Sequence, residues 1–113
     1  MPQAQRQPEE LFTYADYCTW PDAERWELID GVAYDMSPAP GFRHQMVSSE
    51  LVIQFGTHLR NSPCRVLAAP FDVRLPSGDE AEDEIDTVVQ PDIVVVCDRN
   101  KLDDRGARAL RIW

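Results

Sequence analysis

Gln90-Pro91-Asp92-Ile93-Val94-Val95-Val96-Cys97-Asp98 is the stretch whose reading decides the fold. Ile93 to Cys97 is a continuous, mostly β-branched apolar run, too short for a helix and consistent with a strand buried on both faces. Pro91 has no N–H to donate and suits the first residue of such a strand. It also biases Gln90 toward extended backbone. Each fully buried Val or Ile gains roughly 1.5–3 kcal/mol, enough to hold the strand in a core and fix where Asp92 points. A lone carboxylate is costly to bury, so Asp92 should face solvent, a hydrogen-bond donor or a cation. Two readings stand side by side: a metal ligand on a rigid strand, or a residue that caps the strand.

Outward from that strand, the chain has the order short helix, hairpin, long helix, strand pair and apolar strand. Residues 1–8 are polar and read as a flexible tail. Thr13-Tyr14-Ala15-Asp16-Tyr17 reads as a short helix, with Thr13 as N-cap and Asp16 at the capping-box position. Trp26 to Met36 reads as a hairpin around Asp30-Gly31, a pair that tolerates the positive φ of a two-residue turn. Val47, Leu51, Phe55 and Leu59, broadened by Met46 and Val52, predict an amphipathic helix from about Phe42 to Arg60, closed by Asn61-Ser62-Pro63.

Two strands are expected next, Arg65–Ala69 and Phe71–Leu75, with a bend at Pro70. In the second, Phe71, Val73 and Leu75 share one face and Asp72 and Arg74 the other. Asp79–Asp86 carries six acidic residues and reads as a solvated hairpin loop, without the residue frame of an EF-hand calcium loop. Residues after Asp98 contain no further strand candidate. The fold class is α/β in the α+β sense: a mixed sheet with a long covering helix.

Composition bounds the function. At 113 residues the chain is at most one domain, and 43% hydrophobic residues with three Trp mark it as globular. No apolar run approaches membrane-spanning length, and the N-terminus lacks the apolar core of a signal peptide, so a cytoplasmic protein without membrane contact is expected. Cys18, Cys64 and Cys97 are far apart and odd in number, which reads as reduced thiols with neither disulfide nor zinc site. The net charge of −9 argues against broad electrostatic adhesion to nucleic acid, yet leaves room for a nuclease, whose active site needs carboxylates and cations.

Tyr14-x-x-Tyr17, Trp26-Glu27-Leu28-Ile29-Asp30-Gly31, Ser37-Pro38 followed by His44-Gln45, Ala69-Pro70-Phe71-Asp72-Val73 and Gln90-Pro91-Asp92-Ile93-Val94-Val95 occur in that order. Together they resemble the Uma-two family of restriction endonucleases with the PD-(D/E)XK nuclease fold, over nearly all of residues 10–106. A small acidic binding module unrelated to nucleases would require five ordered motifs to coincide. The resemblance implies phosphodiester hydrolysis of DNA with Mg²⁺ or Mn²⁺ as cofactor. It makes Asp92 the "PD" aspartate, a metal ligand and catalytic residue. Glu27 becomes an auxiliary carboxylate or, equally, a salt-bridged hairpin residue. His44 becomes a candidate to position phosphate or water, or a structural residue beside a helix start.

The family pattern continues with a strand carrying a second acid, then a lysine-bearing helix. Here no acidic residue follows Asp104 and no lysine follows Lys101. Residues 9–113 are therefore expected to be the N-terminal part of one endonuclease-like domain, incomplete at its C-terminus and inactive alone. One choice of codons for Arg108–Trp113, read two positions later, encodes Gly-Ala-Pro-Asp-Leu, so a frameshift after about Gly106 is one account. Deliberate truncation or an independently evolved short form are the others. The alternative function is a non-catalytic remnant or regulatory partner that pairs with a complete homologue. Either way, the edge of Ile93–Cys97 is expected to be unpaired, favouring instability, aggregation or a homo-oligomer.

Overall fold

The computed structural model describes residues 3–4, 10–36 and 40–110. Ser37-Pro38 of the resemblance, residues 1–2 and 5–8 of the expected N-terminal tail, and residues 111–113 lie outside them. The elements are β1 (Gln3–Ala4), α1 (Tyr14–Tyr17), β2 (Trp26–Ile29), β3 (Val32–Asp35), α2 (Phe42–His58), β4 (Arg65–Ala68), β5 (Val73–Arg74), β6 (Val88–Val89), β7 (Ile93–Val96), β8 (Leu102–Asp103) and β9 (Gly106–Arg108). The fold is mixed α+β, as expected. It holds two sheets: seven strands in the order β1-β3-β2-β6-β5-β9-β8, and a separate pair, β4-β7.

The hairpin forms where Asp30-Gly31 places it. Asp30 has φ 50° and Gly31 φ 83°, the two positive values of a turn whose twist matches its strands. Its register sets Leu28 opposite Ala33, and Leu28 also pairs with Val88 of β6. Leu28, Val88 and Ile85 are fully buried, with Tyr14 and Ala33 beside them and Phe12, Tyr17, Trp20 and Trp26 packed around. The short helix holds its predicted cap, the Thr13 N–H donating to Asp16 Oδ2 at 3.0 Å. Within the segment read as a tail, Gln3–Ala4 pair antiparallel with Tyr34–Asp35.

Several expectations are corrected. First, Ile93–Val96 is not a central strand: among the described residues β7 pairs only with β4, and of its residues only Val96 is buried. Alternation explains this, because Val94 and Val96 pack toward Val73 and Ala107 of the large sheet while Val95 points outward and is exposed. Its open edge, by contrast, is as expected among the described residues. Second, strands do follow Asp98: β9 runs parallel to β5 and antiparallel to β8. Gly106 at φ 125° makes that possible, since a Cβ there would collide with the Asp72 carbonyl. Arg74, on the strand face opposite Phe71, Val73 and Leu75, is buried. It is 1% exposed, with Nη2 on Asp103 Oδ2 at 2.6 Å, Nη1 on Glu82 Oε1 at 2.9 Å and Nε donating to the Ala107 carbonyl. The acidic stretch is thus anchored at both Glu82 and the fully buried Ile85, although it does connect two antiparallel strands, β5 and β6.

Helix α2 spans the predicted range but buries no residue. Ser48, Val52, Gly56 and Leu59 are its more covered positions, a face at helical spacing toward β4. The predicted stripe of Val47, Leu51 and Phe55 is exposed, as are Met46 and Ile53. Finally, Cys64 and Cys97 form a disulfide, which overturns the reading of reduced thiols at those two positions and removes its support for a reducing compartment. Their neighbours Arg65 and Val96 are cross-strand partners, so the bond closes the far end of the β4–β7 pair. Cys18 is free. No helix among the described residues is long and apolar enough to cross a membrane.

Candidate functional site

Asp92 sits between β6 and β7, where the chain leaves one sheet for the other. Its carbonyl accepts from Ala69 N–H at 3.0 Å, which extends the β4–β7 ladder by one bond and fixes the backbone at the carboxylate. His44 stands in the first turn of α2. Although 48 residues separate them, His44 Nε2 and Asp92 Oδ2 are 3.0 Å apart, with side chains 43% and 61% exposed. Two of the three residues singled out from sequence are thereby brought into direct contact.

Both line a cleft of about 430 Å³ between α2 and the end of β4, together with Arg25, Ser48, Val52 and Ala68. Glu27, the third, is not in that lining. Its Oε2 accepts the Gln90 backbone N–H at 2.7 Å, so Glu27 ties β2 to the residue two places before Asp92. The alternative left open by the sequence, a solvated or salt-bridged hairpin residue, differs from what is found: the Glu27 carboxylate is partly buried and one of its oxygens holds a backbone N–H.

Gln90 is the junction that sequence reading passes over. Its Nε2 donates to Asp72 Oδ1 at 2.9 Å and to the Tyr17 hydroxyl at 3.1 Å, and its Oε1 accepts from Arg25 Nε at 3.2 Å. Tyr17 in turn donates to Asp72 Oδ1 at 2.8 Å. Burial, and after it the Asp72 carboxylate, push the Tyr17 phenol well above its ordinary 10.0, so the hydroxyl stays a donor. Tyr17, Asp72 and Gln90 line a second cleft of about 590 Å³, which shares Pro70 with the first. Tyr17 and Asp72 belonged to quoted motifs, but nothing in their spacing foretold that Gln90 would join them. Arg25, next to the hairpin, carried no sequence signal beyond its charge.

A divalent cation fits this site in a limited way. Mg²⁺ keeps several waters and is bound through one or two carboxylates plus substrate phosphate oxygens. The exposed carboxylate of Asp92, engaged with His44 through one oxygen, suits that pattern as one ligand. A closed cage does not fit: among the described residues no three of His, Cys, Asp and Glu converge on a metal position.

Comparison with known proteins bears on this geometry. No curated protein matches the chain. Residues 13–113 match the model of the Uma2 family, whose description is "Putative restriction endonuclease". The match spans both clefts and every candidate residue, and the chain belongs to the Uma2 family.

Proposed function

We propose that the His44–Asp92 cleft is a site of metal-dependent phosphodiester hydrolysis on DNA, with Mg²⁺ or Mn²⁺ as cofactor and Asp92 as a ligand. The observation that carries this reading is the contact of Asp92 and His44 at the mouth of a cleft, both exposed to a substrate. When bound, the cation polarises the phosphate and lowers the pKa of a coordinated water. Asp92 supplies the fixed negative charge. With Asp92 accepting at Nε2, a neutral His44 imidazole keeps Nδ1 as an acceptor able to orient a water or take its proton. Val52 and Ala68 add apolar surface to the lining. Metal binding by Asp92 is the first property to read, and turnover the second.

The test titrates Mn²⁺ into the protein by electron paramagnetic resonance and follows plasmid nicking with Mg²⁺ against an EDTA control. Asp92→Asn should weaken Mn²⁺ binding about tenfold or more and abolish any nicking that wild type shows. Equal Mn²⁺ affinity in wild type and Asp92→Asn would remove Asp92 as a ligand. A second reading has one observation in its favour: among the described residues no strand covers the outer edge of β7. It makes the chain a non-catalytic partner that pairs through this edge with a second copy or a complete homologue. A monomer by size-exclusion chromatography with light scattering, unchanged on mixing with such a homologue, speaks against it.

A further inference from the structure

Arg25 is half-buried in the wall of the cleft that holds His44 and Asp92, and among the described residues it is the one Arg or Lys in that lining. Its Nε is committed to the side-chain oxygen of Gln90, a neutral amide. Among the described residues no carboxylate lies within ion-pair distance of it. On a chain of net charge −9 this is unusual, since Arg74, the other inward arginine, has two carboxylate partners. A partly desolvated guanidinium without an anion retains donors that match the oxygens of a phosphate in a planar fork.

The orientation of Arg25 is also fixed. Gln90 is held by Glu27 at its backbone N–H and by Asp72 and Tyr17 at its amide nitrogen, so its carbonyl oxygen has one direction left. Arg25 donates to it from Nε, which leaves the two Nη groups for a ligand. The Arg25 carbonyl is pinned as well, by Met36 N–H at 2.8 Å. An arginine held this way loses little further conformational freedom on binding.

We infer that Arg25 is the phosphate-binding cation of this cleft, gripping a DNA phosphodiester beside Asp92, with Gln90 as the residue that positions it. The identity of the phosphate as DNA rests on the proposed function; the presence of an anion site does not. Arg25 thereby supplies, within the same cleft lining, positive charge that a carboxylate–histidine pair lacks.

Binding of a fluorescein-labelled DNA duplex to the full chain, measured by anisotropy with Ca²⁺ across a salt series, tests this. Arg25→Gln should weaken binding about ten- to hundredfold. It should also reduce the slope of log affinity against log salt by about one phosphate contact. Arg25→Lys should recover the slope but only part of the affinity, because it restores charge without the fork. Gln90→Leu should weaken binding less than Arg25→Gln while leaving the slope unchanged, which a general loss of folding would not do; thermal melts of all variants confirm that they fold. Arg25→Gln that binds with wild-type affinity and slope overturns the inference, as does a wild-type chain that binds no duplex. Asp92→Asn separates the two proposals: loss of Mn²⁺ binding concerns hydrolysis alone, while duplex binding that still depends on Arg25 sustains the phosphate site.

Discussion

The seven-stranded sheet and the two-stranded sheet beside it solve opposite problems with the same chain. Around β2, β6 and β5 every inward side chain is covered, down to a buried arginine whose charges are matched. The β4–β7 pair has one packed face, no strand on either outer edge among the described residues, and a helix that buries none of its residues. The candidate site lies at the seam. Glu27 and Arg25, at and beside β2, come from the closed region, while His44 and Asp92 come from the open one. Stability and access are thus divided between the two sheets, and Gln90 is the hydrogen-bonded joint that transmits the rigidity of one to the chemistry of the other.

The largest effect that can break this contrast is a cavity in the closed region. Leu28→Ala removes a fully buried side chain flanked by Ala33 and Val88 and should cost about 2–5 kcal/mol in urea denaturation. Phe55→Ala on α2, a larger truncation of an exposed side chain, should cost under about 1 kcal/mol. Equal costs would mean that α2 is as well packed as the hairpin, and the division between the sheets would fail.

What the sequence made legible follows the same boundary. Local chemistry set the hairpin and the α1 cap: Asp30-Gly31 needs positive φ, and Asp16 reaches Thr13 whatever the rest of the chain does. Partnership did not show. Ile93–Val96 has the composition of a doubly covered strand, but composition cannot say how many neighbours a strand finds, and it finds one. Alternation sets Arg74 on the face opposite Val73 but does not reveal its partners, Glu82 and Asp103, which lie eight and 29 residues away. Cys64 and Cys97 meet because the β4–β7 register aligns them, information that 33 residues of separation hide. For the site, Asp92 and His44 were each visible as residue types. The cleft that joins them, and the Arg25–Gln90 pair on its wall, exist only once the strands are in place.

A smaller and more local effect is expected from the disulfide. Closing a loop with sequence separation 33 contributes on the order of 2–4 kcal/mol, chiefly by restricting the unfolded chain. Reduction by a dithiol, or a Cys64→Ser/Cys97→Ser double variant, should therefore lower the melting temperature. If the two-stranded sheet is the weaker unit, amide exchange should accelerate first at Val66, Leu67, Val94 and Val95, before the β2–β3 hairpin loses protection. Uniform acceleration across both sheets would instead make them one cooperative unit. His44–Asp92 proximity, at the end of β7 opposite the bond, should loosen with the sheet.

The smallest effect belongs to the closed region and has a definite sign in pH. The Arg74 hydrogen bond, helped by the Arg105 backbone N–H, holds the Asp103 carboxyl below its ordinary 3.8, against a desolvation cost that works the other way. A depressed folded-state value means that the ionised form stabilises the fold. The contribution is whole above the unfolded value and is lost as pH falls through the lowered folded one. Asp103 is about half exposed, so solvent screens the pair and the change is modest. Chemical denaturation from pH 6 to pH 2 should show wild type losing stability more steeply below pH 4 than Asp103→Asn, with the two curves parallel above pH 5. Parallel curves throughout would mean that Arg74 is satisfied by Glu82 and the Ala107 carbonyl alone. The inner arginine would then depend on its buried surroundings rather than on β8, and the closed sheet would end one strand earlier in energetic terms than it does in hydrogen bonds.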